Sequence, residues 1–344
     1  MTYWAGKHVL VTGGFGFVGH LLVQELIVEG ATVSIIDDMS RGKRERLVDP
    51  EGDPERLIDG IGDVWNHTLQ ENRYACERAC EDADVVFHLA APVGGLYWSM
   101  TRHYDMFTDA MSSTISIMDA AIKSPKTKRI ALASSACAYS GELFGPHPES
   151  NAQFGTPEEA SEGYGWAKRL SENMAQWARD EHGMEVAVFR PANAIGPDDI
   201  DDETGHVIPQ VLKRIFDGQN PLMIYGTGTQ KREFMHVKDY VGGAMAICER
   251  AADGNVVNLG SGHVVTIGEL VQRLLEICTE RHGITWPRLL FDTNKTDGHP
   301  AKFHLLTKLR EEVGYVTQVS LEDALVEIVD DYALNRAAEV EAAH

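Results

Sequence analysis

His8-Val-Leu-Val-Thr12, running into Gly13-Gly14-Phe15-Gly16-Phe17-Val18-Gly19, is the stretch whose reading decides the fold. An unbroken apolar run closes on glycines spaced Gly13-x-x-Gly16-x-x-Gly19, and Leu21, Leu22, Leu26 and Ile27 follow at helical spacing. That is the pattern of a strand, a tight turn and a helix in a dinucleotide-binding unit. The early glycines let the backbone turn and approach a pyrophosphate, the last lets the helix pack against the strand, and the free N–H groups of the helix start face the phosphates. Gly13, Phe15, Gly16, Phe17 and Val18 are the expected contacts. A second strand, Thr32-Val-Ser-Ile-Ile36, ends in Asp37-Asp38, roughly 20 residues on, where an acid takes an adenosine ribose. A carboxylate accepts from a ribose 2′-hydroxyl and repels a 2′-phosphate, so Asp37 predicts NAD rather than NADP. Arg41 reads either as a phosphate partner or as a loop charge on the adenine side.

Further strands alternate with helices. Ile58-Asp-Gly-Ile-Gly-Asp63-Val64 reads as a third strand ending near the adenine, with Asp63 either contacting its amino group, beside Val64, or capping a helix over 68–79. Asp84 to Ala91 is a fourth strand, whose end at Leu89, Ala90 and Ala91 lies where a cofactor passes; Pro92-Val93-Gly94-Gly95 then turns. A helix over 104–122 precedes a fifth strand, Arg129 to Ala133. The alternation predicts an α/β chain with a Rossmann-like, doubly wound parallel sheet and ligands at the C-terminal strand ends.

Composition narrows the function. Lys+Arg 31 against Asp+Glu 52 leaves a net charge of -21, which argues against nucleic acid or an anionic membrane as partner. An anionic substrate would need a local basic pocket. No apolar segment reaches the length of a membrane span and the first residues lack a signal-peptide core, so a cytoplasmic enzyme is expected. Five scattered cysteines, Cys76, Cys80, Cys137, Cys248 and Cys278, make no disulfide framework. Cys76 and Cys80, one helical turn apart, have no nearby His or Cys to complete a metal site.

The fifth strand runs into Ser134-Ser135-Ala136-Cys137-Ala138-Tyr139, and Tyr164-Gly-Trp-Ala-Lys168 follows after a Pro/Gly-rich loop. At i and i+4 on a helix, Tyr164 and Lys168 share a face, so the ammonium can lower the phenol pKa while Ser135 offers its hydroxyl to the same substrate oxygen. This equipment moves a proton off an alcohol as hydride leaves its carbon.

With TGGFGFVG, HLAA at 88–91, SSACAY, YGWAK and Arg190-Pro-Ala-Asn193-Ala-Ile-Gly-Pro197 in hand, the chain resembles the extended short-chain dehydrogenases/reductases, the nucleotide-sugar epimerases and dehydratases. The resemblance implies Ser135, Tyr164 and Lys168 as the catalytic trio, Tyr164 and Lys168 also at the nicotinamide end, and a homodimer packed through helices near 104–122 and 165–182. It places Asn193 on the sugar; the alternative is a turn residue. Within the family, Val93-Gly94-Gly95, His206-Val-Ile-Pro209, the run from Gly226 to Val237 and the run from Phe291 to Lys302 are most similar to GDP-fucose synthase, with echoes of GDP-mannose 3,5-epimerase. Those relatives imply substrate contacts from Gly94 and Gly95, diphosphate contacts from Arg232 and Lys302, and proton shuttling at C3 and C5 by Cys137 and His206. The plainer readings are a small apolar filler for Cys137, a held substrate oxygen or a loop contact for His206, and surface ion pairs for Arg232 and Lys302. His236 is expected to be structural.

Asp37 departs from the NADPH-using synthase and favours a redox-neutral epimerase that recycles NAD. Ala136-Cys137 stands where 4,6-dehydratases carry an Asp-Glu pair, which argues against a dehydratase or decarboxylase. The expected activity is an NAD-dependent nucleotide-sugar epimerase on a GDP-hexose; a GDP-4-keto-6-deoxymannose epimerase/reductase, a UDP-sugar 4-epimerase and a non-catalytic NAD sensor are the alternatives. The expected domains are 1–197 plus 230–262 for NAD, and 198–229 plus 263–344 for the substrate.

Overall fold

The computed structural model describes residues 2–47, 61–66, 68–69, 73–92, 94–197, 199 and 205–342. β1 (His8–Thr12), β2 (Thr32–Asp37), β3 (Ile61–Asn66), β4 (Val85–His88), β5 (Arg129–Ala133), β6 (Glu185–Pro191) and β10 (Asp253–Leu259) form one seven-stranded sheet in the order β10-β6-β5-β4-β1-β2-β3. Every pairing in it is parallel. The order reverses direction between β1 and β4, which opens a crevice at their C-terminal ends.

Strand residues alternate between two apolar layers, so both faces of the sheet are covered. Val9, Val11, Val85, Phe87, Ala131 and Phe189 pack with helices α1 (Gly19–Val28) and α7 (Val237–Arg250). Leu10, Val86, Ile130, Leu132 and Val188 face the other way, against α2 (Arg73–Glu81), α4 (His103–Lys123) and α5 (Glu162–His182). A third apolar cluster joins α6 (Val207–Phe216), β8 (Leu222–Tyr225), α8 (Ile267–His282) and α9 (Leu321–Ala342). Strand β9 (Lys231–His236) pairs with β7 (Asn193–Ile195), β11 (Val264–Thr266) and β13 (Ala301–Lys302), while β12 (Leu289–Asp292) pairs with β8. No helix among the described residues is long and apolar enough to cross a membrane.

The third strand departs from its sequence reading. It runs to Asn66, and two residues, Gly62 and Asp63, fit between the pairs Val33–Ile61 and Ile35–Val64. This bulge leaves Asp63 in mid-strand with its N–H donating to Ser34 Oγ at 3.2 Å. Asn66, not Asp63, pairs in register with Asp37 at the sheet rim. Asp63 thus lies within the strand and does not stand as a helix cap. Val64 stands within the strand, opposite Ile35. Strand β4 ends at His88, and Leu89, Ala90 and Ala91 form the loop on its rim.

Buried histidines make the fold sensitive to acid. His88 spans the layers, its Nδ1 2.9 Å from Thr12 Oγ1 and its Nε2 3.2 Å from Thr114 Oγ1. Burial, and then the charge of Lys168, push its pKa down to about 3; burial and neighbouring His299, His304 and Lys302 push His147 to about 4. Below pH 6.5 the unfolded chain takes up protons that these two side chains refuse in the fold. Stability is therefore expected to fall as pH drops from 6.5 toward 4, by about 1.4 kcal/mol per pH unit for each histidine. Urea midpoints measured across that range check it, with His88→Gln giving a shallower slope; a flat profile is the contrary result.

Candidate active site

The turn after β1 is shaped by what a side chain would strike. Gly13 holds φ +73 and donates to the Ile36 carbonyl at 2.7 Å, and a Cβ on it would meet the Ala90 backbone at 3.2 Å. A Cβ on Gly19 would lie 1.9 Å from the Gly13 carbonyl oxygen, so the start of α1 approaches the turn as only glycine permits. Asp37, at the tip of β2, accepts the N–H groups of Phe15 and Met39, both at 2.9 Å. Burial pushes its carboxyl up against the lowering effect of those donors. Glycine turn, helix start and β2 carboxylate thus meet at the switch point.

On the other side of the switch point, Ser135 caps a short 3-10 turn, Ala136–Ala138, its Oγ accepting from Cys137 N at 3.1 Å. Gly165 lets α5 press against this turn, because a Cβ there would come within 2.4 Å of the Cys137 carbonyl oxygen. Lys168 is buried, donates to the Ala133 carbonyl at 2.7 Å and lies 5.3 Å from the Tyr164 ring centroid. Burial pulls the Lys168 pKa down to about 8, opposed by the charge of Glu172. Burial raises the Tyr164 phenol above its ordinary value.

Cys137 is partly exposed and interacts with this pair. Its Sγ lies 4.0 Å from Lys302 Nζ, and Lys302 is ion-paired with the buried carboxylate of Glu158. Burial would lower the Lys302 pKa; neighbouring Cys137 and the carboxylate of Glu158 outweigh it and hold the ammonium above its ordinary value. Burial would raise Glu158, and Lys302 with Arg232 holds it down instead. Arg232 donates to the carbonyls of His299 at 2.5 Å and Asp297 at 3.1 Å, while Glu158 accepts the His299 N–H at 2.9 Å. The segment from Asp297 to Lys302 is thereby fastened beside the turn that carries Cys137.

The other expected residues make contacts of their own. Asn193 is in β7 rather than a turn and donates to the Glu233 carbonyl at 2.8 Å. Gly95 starts the short helix α3 (Leu96–Ser99), and Gly94 makes room for Trp98, which a Cβ would approach to 2.3 Å. His206 begins α6, hydrogen-bonded through Nδ1 to Asp199 at 3.2 Å. Burial opposes charging of His206, but Asp199 outweighs it and raises the pKa; Arg41 lowers it slightly. The charged groups named around His206 are thus different from those around Cys137. His236 caps α7 and stands 3.2 Å from the Glu327 carboxylate, tying β9 to α9.

Glu158, Glu172 and Arg190 are parts of the site that sequence reasoning missed. Glu158 gave no signal, since Pro157-Glu158-Glu159 reads as a solvated acidic loop. Arg190 did give one: it sits in the otherwise apolar Val186-Ala-Val-Phe189 strand and needs a buried partner, which is Glu172.

A model of the NAD dependent epimerase/dehydratase family matches residues 9–260. The chain belongs to that family. The resemblance drawn from the motifs is confirmed, and the cofactor of the family, NAD, is the cofactor of this chain. Among family members, GDP-L-fucose synthase 1 of Arabidopsis thaliana is 31% identical over 332 residues, covering 95% of this chain and 93% of that protein. A probable GDP-L-fucose synthase 1 of Oryza sativa subsp. japonica is 28% identical, covering 96% and 93%. A UDP-glucose 4-epimerase of Thermotoga maritima, solved with UDP-glucose, superposes with a TM-score of 0.82 at 25% identity, covering 96% of this chain and 99% of that one.

Proposed function

We propose that the chain is an NAD-dependent nucleotide-sugar epimerase acting on a GDP-hexose through transient oxidation at C4, with proton exchange at C3 or C5. The observation that carries this reading is that Cys137 interacts with Tyr164 and Lys168 and lies 4.0 Å from Lys302 Nζ. Glycine-free-of-Cβ contacts at Gly13 and Gly19 and the carboxylate of Asp37 fit a dinucleotide. Gly13, Phe15, Gly16, Phe17 and Val18 would hold its pyrophosphate side, Asp37 its adenosine ribose, Leu89, Ala90 and Ala91 its passage across the sheet, and Lys168 its nicotinamide ribose. NAD supplies, when bound, a reversible hydride acceptor.

The chain's own residues then handle protons and charge. Tyr164 takes the proton of the sugar C4 hydroxyl, Lys168 supports the phenolate and Ser135 donates to the same oxygen. A ketone at C4 acidifies the neighbouring C–H bonds, and Cys137 is placed to exchange one of those protons. Arg232 supplies positive charge that a diphosphate needs in a chain of net charge -21. A homodimer belongs to the same reading: α4 and α5 leave Tyr104, Ile115, Trp166 and Trp177 exposed.

Heavy-water incubation with NAD and a panel of GDP-, UDP- and dTDP-hexoses tests this, read by mass spectrometry and NMR. Deuterium is expected at C3 or C5 of a GDP-hexose, with Cys137→Ser reducing its uptake by about 10²-fold or more. A second reading, a UDP-sugar 4-epimerase, is favoured by the different partners of His206 and Cys137, Asp199 for the one and Lys302 for the other. Inversion at C4 of a UDP-sugar without deuterium uptake would select it.

A further inference from the structure

The charges around the Cys137 sulfur come from several elements. Lys168 and Tyr164 face it from α5, Arg232 from β9 and Lys302 from β13. Behind these stand the anions: Glu172 acts on Lys168, Glu158 on both Lys302 and Arg232, and Asp297 on Arg232. Only Lys302 brings a charged nitrogen within 4.0 Å of the sulfur among the described contacts, and its side chain is 14% exposed, so water screens the approach poorly. The geometry also gives it little freedom. Glu158 is 8% exposed, accepts the His299 N–H and pairs with the ammonium, while β13 holds the Lys302 backbone in register with Arg232.

We infer that Lys302, anchored by Glu158, is a positioning residue for Cys137, and that it serves proton exchange at the sugar ring rather than grip on the diphosphate. The inference deepens the proposed function and rests on it for the reaction. In the exchange step, the C–H bond beside the C4 ketone breaks as the S–H bond forms; the C–H electron pair is retained by the sugar as an enolate, and the sulfur loses its negative charge. In the return direction the S–H bond breaks, the proton goes to carbon and the electron pair stays on sulfur. An ammonium fixed beside the sulfur stabilises the state in which sulfur carries the charge, and so makes the thiol a better donor on the return step. Arg232 fits the diphosphate role better in charge than in freedom, because its N–H groups already serve the His299 and Asp297 carbonyls.

Alkylation of Cys137 by iodoacetamide in the full-length protein tests this without nucleotide sugar, and the four buried cysteines serve as internal references in the same peptide digest. Lys302→Met is expected to slow alkylation at pH 7 by roughly tenfold, with the deficit closing at pH 10, and Lys302→Arg to restore most of the rate. The double variant Glu158→Gln with Lys302→Met removes both charges of the pair and leaves Arg232 its Asp297 partner, so it reports even if Lys302→Met alone folds poorly; it should alkylate as slowly as the single variant. In turnover, Lys302→Met should lower deuterium exchange with KM for the nucleotide sugar held within about twofold. An unchanged alkylation rate in both variants overturns the inference, and so does a raised KM with exchange at saturation intact, the pattern of a diphosphate ligand. If no nucleotide sugar is turned over at all, the proposed function fails while the alkylation comparison still decides the role of Lys302.

Discussion

Tyr164→Phe is expected to reduce turnover by about 10²–10⁴-fold while NAD binds within a few-fold of the parent. The substitution removes one hydroxyl and keeps the ring that lies 5.3 Å from Lys168 Nζ. It leaves the glycine turn and Asp37 untouched. Burial raises the phenol above its ordinary value, so proton removal is expected to depend on the cation 5.3 Å from its ring. Lys168, with a pKa pulled down to about 8, is still mostly charged at pH 7. Turnover by mass spectrometry and NAD binding by calorimetry check the two halves separately. Unchanged turnover would remove Tyr164 from the reaction and return the non-catalytic sensor as the better reading; loss of NAD binding alongside turnover would make Tyr164 a cofactor contact first.

The residues on which this prediction turns could be found in the sequence because local rules govern them. A glycine spacing, a carboxylate at a strand tip and an i, i+4 pair each leave a mark within a few residues, and parallel strands buried on both faces read as apolar runs. The boundaries that went astray have physical causes. The bulge at Gly62-Asp63 has no composition signal, and the strand ends two residues beyond the expected Val64, at Asn66. The Lys302–Glu158–Cys137 cluster joins positions far apart in the chain through the pairing of β13 with β9. Nothing in the neighbourhood of any one of these residues announces the other two. His206 shows the same limit from the other side: its motif was visible, but its partner Asp199 and the distinct surroundings of Cys137 follow from how the segment folds.

Arg190 and Glu172 carry the second large effect. The pair is almost fully withdrawn from water, at 3% and 8% exposure, and meets through two hydrogen bonds of 2.7 and 2.6 Å. Ser134 Oγ donates to the same carboxylate, Arg190 donates to the Glu149 carbonyl at 2.6 Å, and the guanidinium lies 4.8 Å from the Tyr139 ring centroid. Glu172→Ala leaves that guanidinium buried without its counter-charge and is expected to destabilise the fold by about 3–5 kcal/mol, read as a lower urea midpoint. The variant Glu172→Leu with Arg190→Met removes both charges and should recover most of that loss, because a buried ion pair and an apolar pair of similar volume differ little. Activity should not recover with it. Glu172 also supports the charged form of Lys168, so the double variant stands expected to lose turnover at neutral pH while folding well, as the Lys168 pKa falls further below about 8. A double variant as unstable as Glu172→Ala would mean that the site needs the pair's shape rather than its charge balance, and one with full turnover would free Lys168 from its dependence on Glu172.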